Sequence, residues 1–226
     1  MPPPLPALQP ALPGHRGEYA ADAAVHAVGL AAAGLACLGL ALAAPRPPGL
    51  RLALALGLYA AGLLTMLVCS AAYNMAAAGR WKAFLQRLDH AAIFLMIAGT
   101  YTPVALLGIG GGWGWGLFAA VWAGALGGAA LKLLAPARIE RAAILLYLTL
   151  GWVGLVAVEP LLRALAWPDL ALLLAGGLFY SLGVRLHLAE WLRFHTALWH
   201  GCVLAGAACH YAVVLRLAMA GTAGSL

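Results

Sequence analysis

Residues 51–74 read RLALALGLYAAGLLTMLVCSAAYN. After Arg51 the run carries neither a charge nor a proline. A helix needs about 20 such residues to cross the hydrocarbon core of a bilayer. Backbone polar groups in lipid must be satisfied within the segment, so a run of this kind is a spanning helix rather than a loop. Its last turns carry Ser70 and Asn74, four residues apart and therefore on one helix face.

Six further runs of the same character flank it. The spans are predicted over residues 22–44, 51–74, 89–108, 115–134, 142–159, 169–187 and 196–219. The breaks between them hold turn chemistry: Pro45, Pro47 and Pro48, then Gly110 to Gly112, Pro136, and the pair Pro160 and Pro168. Of the 226 residues, 65% are hydrophobic and only 9% are charged, against about 25% charged in an ordinary soluble domain. The fold class expected is an all-α integral membrane protein, a seven-transmembrane-helix bundle. Residues 1–20, rich in proline, read as a disordered tail. Residues 21–220 form one membrane domain and 221–226 a short tail. The first apolar run is too long, and too acidic before it, for a cleaved leader, so it reads as a retained span. The segment AAAGRWKAFLQRL (residues 76–88) is amphipathic and predicts a short helix lying along the membrane surface. Trp81, Trp113, Trp115, Trp167 and Trp191 stand near span ends, where an aromatic belt would place them.

Basic residues set the direction of insertion. Arg16, Arg80, Lys82, Arg87, Lys132, Arg138, Arg141, Arg185 and Arg193 fall on one side, and Arg46, Arg51, Arg163 and Arg216 on the other. The excess puts the N-terminus inside and the C-terminus outside, as a multi-pass protein of the cell membrane, in a bacterium the inner membrane. The net charge of +6 is thus a topology signal. No basic run is interleaved with aromatic residues, which argues against nucleic acid as a partner and leaves membrane lipids; protein partners are not legible. Cys37, Cys69, Cys202 and Cys209 lie inside apolar runs without a CxxC pair and read as small core residues.

With alternating spans, the rare polar residues collect at one end. Asp22 and His26 open the first span, Ser70 and Asn74 close the second, Asp89 and His90 open the third, and Thr196 and His200 open the seventh. Ionisable groups are costly in hydrocarbon and mark a site by default. Two chemistries fit such a cluster: a metal or catalytic site, since imidazole and carboxylate suit zinc, or a hydrogen-bonded polar knot that fixes helix packing. His210 lies ten residues beyond His200, about 15 Å along the helix, and is expected to stay out of the cluster. His90, next to Asp89, is expected on another face, and His187 in a loop. In GTYTP, residues 99–103, a threonine hydroxyl capping a carbonyl beside Pro103 predicts a local kink.

The stretches EYAADAAVHAVG (residues 18–29), CSAAYN (69–74), LDHAAIFLMIAGTYTP (88–103), GLFYSLGV (177–184) and LWHGCVLAGAACHY (198–211) together resemble the hemolysin III family, bacterial relatives of the adiponectin and progestin receptors. The resemblance implies seven helices with the N-terminus inside and a zinc ion in the cytoplasmic half. It implies three histidine ligands, one closing a Ser-x-x-x-His stretch in the second helix and two in His-x-x-x-His at the start of the seventh. An aspartate opening the third helix would orient the reacting water. Carried over residue by residue, Ser70 and Asp89 match, as the catalytic pair of an enzyme reading, and His200 keeps one ligand position. Asn74 and Thr196 stand at the other two, and a neutral amide or hydroxyl is a poor zinc ligand beside imidazole. Weak or absent zinc follows, a degenerate site, unless His195 swings in from a distorted first turn or His26 contributes from the first helix. The resemblance implies a role in membrane lipid homeostasis. The alternatives are a zinc-dependent, ceramidase-like hydrolase of a lipid amide and a cytolytic pore-forming protein, the latter disfavoured because no span carries a charged stripe fit for a channel.

Overall fold

A computed structural model describes residues 13–45 and 47–223 of the chain. In order come α1 (Pro13–Ala43), α2 (Leu50–Met75), α3 (Lys82–Pro103), a π-helical turn (Val104–Ile109), α4 (Gly111–Leu134), α5 (Pro136–Trp152), a 3-10 stretch (Val153–Ala157), α6 (Val158–Ala164), α7 (Trp167–His187) and α8 (His195–Ala223). Among the described residues seven helical segments are long and apolar enough to span a bilayer, the fifth running through α5 and α6 as Ala142–Ala164. The chain is a seven-span membrane bundle. Successive spans alternate in direction, so α1, α3, α5 and α8 begin at the end where α2, α4 and α7 stop.

Three boundaries differ from the sequence expectation. Residues 13–20 are helical rather than tail: α1 starts at Pro13, a residue whose fixed φ suits a first helical position. Residues 1–12 lie outside the described part. Likewise α8 runs on to Ala223, into the stretch read as the C-terminal tail, and residues 224–226 lie outside the described part. The amphipathic segment 76–88 is not a separate surface helix. Residues 76–81 are a turn, and from Lys82 onward the segment is the first two turns of α3. The physical reason is Lys82, whose Nζ donates to the carbonyls of Tyr73 at 2.5 Å and Ala76 at 3.0 Å. It satisfies carbonyls at the end of α2 that have no helical partner and ties α3 directly to α2.

α2 and α3 pack backbone to backbone. A Cβ placed on Gly62 would lie 3.0 Å from the Leu95 carbonyl, and one on Gly99 would lie 3.0 Å from the Leu58 carbonyl. Small residues let helices in lipid approach backbone to backbone, and this seam sets the depth at which Ser70, Asn74 and Asp89 face one another. The GTYTP stretch ends α3 in a π turn. Thr102 Oγ1 donates to the Ala98 carbonyl at 2.7 Å and accepts from Trp122 Nε1 at 2.9 Å. Tyr101 serves the break in the fifth span. Its hydroxyl donates to the Gly151 carbonyl at 2.6 Å and accepts from the Gly154 amide at 2.8 Å, two backbone groups that lipid could not satisfy. The turn into α4 uses Gly110 at φ 64°, a conformation open to glycine at little cost.

Candidate functional site

α1, α2, α3 and α8 bring their polar residues together at the shared end. Asp22, His26, Ser70 and Asp89 are all buried. The i, i+4 spacing in α1 puts Asp22 and His26 one above the other, and the same spacing in α2 aligns Ser70 with Asn74.

The hydrogen bonds fix the ring tautomers. His26 Nδ1 lies 2.8 Å from the Asp22 carbonyl oxygen, and His200 Nδ1 lies 2.6 Å from Asp22 Oδ1. Carbonyl and carboxylate oxygens only accept, so both Nδ1 atoms carry the proton. In the neutral rings Nε2 is then a lone pair. Both Nε2 atoms point toward Ser70 Oγ, at 3.2 Å from His26 and 3.5 Å from His200. The two rings stand edge to face with centroids 4.4 Å apart. Asn74 Nδ2 donates to the Ser70 carbonyl at 3.0 Å and reaches Ser70 Oγ at 3.4 Å. Asp89 stands in the same cavity wall as Ser70 and His200.

A cavity of about 280 Å³ opens on the Nε2 side of the rings, and every span contributes to its wall. His26, Ser70, Asn74, Asp89, Thr196 and His200 line it, whereas Asp22 does not and stands behind the rings. One ligating atom from each of Asp22, His26 and His200 lies within 4.8 Å of the others, which makes the three a candidate metal cluster. Imidazole and carboxylate are donors that a divalent ion accepts, but Asp22 meets the rings on their Nδ1 side, opposite the Nε2 lone pairs.

The remaining sequence expectations divide. His195 is outside the cavity wall, and its Nδ1 is buried without a hydrogen-bond partner. Of the two residues expected as substitutes, His26 is the one that reaches the cluster. His210 lies apart from it, with Nε2 donating to the Leu173 carbonyl at 3.2 Å. His90 and His187 correct the sequence reading, because both line the cavity. His187 is the last residue of α7 rather than a loop residue, packed against Trp199 with ring centroids 5.4 Å apart. His90 faces inward because α3 enters the centre of the bundle and offers more than one face to it.

Lys132 was legible only as a topology charge. It is 2% exposed and lines the same cavity, bringing a cation to a wall that holds Asp89. Its signal was its place between Leu131 and Leu133, inside an apolar run rather than beyond it. The start of α8, which positions Thr196 and His200, follows Phe194 at φ 64°, a left-handed conformation costing a bulky residue about 1–2 kcal/mol.

Seven alternating apolar spans with buried carboxylates and imidazoles at one end define a multi-pass integral membrane protein with an intramembrane polar site. The chain belongs to the haemolysin III family: the family model for haemolysin-III related proteins matches residues 20–211. It is similar to Hemolysin-3 of Bacillus cereus, 44% identical over 128 residues, which is 57% of this chain and 58% of that protein. It is also similar to a Hemolysin-3 homolog of Bacillus subtilis (strain 168), 39% identical over 134 residues, 59% of this chain and 63% of that protein. The aligned stretches thus span about three fifths of either relative.

Proposed function

We propose that this protein binds a membrane lipid in the interior of the bundle and serves membrane lipid homeostasis. In this reading the polar end faces the cytoplasm, the N-terminus is inside, and a bacterial inner membrane is the location. The excess of basic residues at that end supports the orientation.

The observation that carries the lipid reading is a column of cavities. The polar cavity adjoins one of about 100 Å³, with Met66, Ile93, Tyr147, Tyr180, Val184 and Trp199 in both walls. That one adjoins a third of about 240 Å³ through Thr100, Tyr101, Gly151, Trp152, Gly177 and His210. The third is lined mainly by leucines of α6 and α7 and their neighbours. A polar chamber continuing into a long apolar one fits an amphiphile, headgroup at the cluster and chain along the column, as ligand sites combine apolar walls with a few placed polar groups. Lipid extraction and mass spectrometry of the purified protein test it. Gly151 has open space where a side chain would go, so Gly151→Leu fills the column. Loss of co-purified lipid in that variant is expected; equal lipid in both proteins overturns the reading.

An enzyme reading is favoured by one further observation, the juxtaposition of Asp89, Ser70 and two imidazole lone pairs beside the polar cavity. A bound divalent ion would polarise a carbonyl and activate water there. Asp89 would orient that water and take its proton, with Ser70 in the same cavity wall beside it. The substrate class is a lipid amide. Fatty-acid release from a short-chain ceramide by wild-type protein, lost in Asp89→Asn, is the expected result; no release by metal-loaded wild type refutes it. Asn74 and Thr196 deny the protein the three-histidine arrangement of the family, and in that sense the site is degenerate.

A further inference from the structure

Deeper in the bundle than the polar end lies a second polar layer. Thr100 stands eleven residues beyond Asp89 in α3, and His210 stands ten beyond His200 in α8, which puts both about 15 Å or more along their helices from the first cluster. Tyr180 of α7 joins them, its ring centroid 5.5 Å from that of His210. All three residues line the middle cavity of about 100 Å³. Among the described residues six buried side-chain nitrogen or oxygen atoms have no hydrogen-bond partner, and Thr100 Oγ1, the Tyr180 hydroxyl and His210 Nδ1 are three of them. Tyr101, Tyr147, Trp152 and Ser181 line the same cavity but spend their polar atoms on the protein. Two glycines seat the rings: a Cβ on Gly176 would overlap the His210 imidazole, and one on Gly206 would lie 3.1 Å from the Tyr180 ring. Buried polar atoms without partners are rare in native proteins and need a cause. Three around one cavity share one.

The atoms say what kind of group completes them. His210 Nε2 donates to the Leu173 carbonyl at 3.2 Å, so Nδ1 of the neutral ring is a lone pair that only accepts. The hydroxyls of Thr100 and Tyr180 can donate as well as accept. A methylene satisfies none of the three, and a carbonyl leaves Nδ1 without a donor. A hydroxyl gives its proton to Nδ1 and takes one from Thr100 or Tyr180. We propose that the middle cavity is a hydroxyl subsite: it receives a hydroxyl borne partway along the chain of the amphiphile in the column, with Thr100, Tyr180 and His210 as its partners. This rests on the lipid reading of the column and narrows it to lipids hydroxylated in mid-chain. An extended chain advances about 1.2 Å per bond, so about a dozen bonds separate a headgroup at the polar end from this layer. Water has the same hydrogen-bonding chemistry as a hydroxyl, and the test separates the two.

Monoglycerides are the probes, since they bring no charge to the polar end. The full chain, purified in detergent and stripped of lipid, is titrated with glyceryl monostearate and with its analogues hydroxylated on the twelfth or on the last carbon of the chain. Binding is followed by native mass spectrometry. The wild type is expected to hold the twelfth-carbon analogue about tenfold tighter than the plain chain. The last-carbon analogue should bind no tighter than the plain chain, because its hydroxyl would fall among the leucines of the third cavity. This series needs no variant to fold. Thr100→Val and Tyr180→Phe remove the two hydroxyls with little change of shape, and in the double variant the preference should shrink to within about twofold. Equal affinity of the wild type for the plain and the twelfth-carbon chain means that water serves the three atoms; it overturns the subsite and leaves the lipid reading standing. Binding of none of the three overturns both. A tenfold preference that survives in the double variant overturns the assignment to these residues.

Discussion

On one side of the bundle α2 and α3 meet backbone to backbone at Gly62 and Gly99. On the other, α5 and α7 stand apart around two of the three cavities. The close side carries Ser70, Asn74 and Asp89; the open side carries the apolar part of the column and the break in the fifth span. A rigid wall holds chemistry at fixed spacing, and a loosely packed wall leaves room for something to enter. Without a hydrophobic drive between helices in lipid, close packing and hydrogen bonds decide where a bundle is firm. The two sides differ in both. The α2–α3 seam is made of backbone contact, whereas the fifth span is joined to α3 and α7 by a few side-chain bridges. Tyr101 reaches Gly151 and Gly154, and Trp152 Nε1 donates at 3.1 Å to Ser181, which donates in turn to the Gly177 carbonyl at 2.9 Å.

The sharpest way to break this contrast is a larger side chain in the seam. Gly99→Leu drives carbon into the Leu58 carbonyl, a backbone atom that cannot swing aside. Overpacking of this kind costs about 3 kcal/mol or more, and equilibrium unfolding in mixed micelles should show it. A cost below about 1 kcal/mol would mean that the seam yields and is not the rigid wall. The second effect lies on the open side. Tyr101→Phe removes one hydroxyl and strands a carbonyl and an amide, at about 1–3 kcal/mol. Hydrogen exchange should rise first at Gly154; unchanged exchange there would show that the break does not rely on Tyr101.

How much of this was visible in the sequence depends on the range of the interaction concerned. The seven spans were legible because bilayer thickness imposes a length on each, and that constraint is local. The helix starts at Pro13 and Lys82 were less so, because polar residues can continue a helix whose apolar part alone was counted. Ser70, Asn74, Asp89 and His200 were placed at one end by span parity, and Asp22 with His26 by their spacing. Which of them touch was not legible. The choice of His26 over His195 depends on how α1 is rotated against α8, and Lys132 enters the cavity wall only through the packing of α4 against α3. Such rotations are set by contacts between residues far apart in the chain.

A third effect tests the polar end of the close side. Ser70→Ala removes the hydroxyl on which His26, His200 and Asn74 converge. Hydrogen bonds between spans are worth about 0.6 kcal/mol on average and up to about 1.7, so a loss of about 1 kcal/mol is expected, smaller than that of Tyr101→Phe. If metal-free protein lost as much on Ser70→Ala as on Gly99→Leu, the polar cluster rather than the glycine seam would be what holds this side together.

The smallest effect has the opposite sign. Gly151 lies within the fifth span, and a Cβ built on it meets nothing within 4 Å. Alanine there should gain helix propensity, about 0.5–1 kcal/mol relative to glycine, with no clash to set against it. Gly99 is a helical glycine too, but its Cβ would press on backbone at 3.0 Å, so Gly99→Ala should lose stability while Gly151→Ala gains it. The pair isolates the difference between the two sides, since the chemical change is identical and only the neighbouring helix differs. Mixed-micelle unfolding of the two variants side by side gives the comparison directly. If both alanines shifted stability in the same direction, the space beside Gly151 would have to be filled in the membrane, and the open side would be open only in the isolated chain.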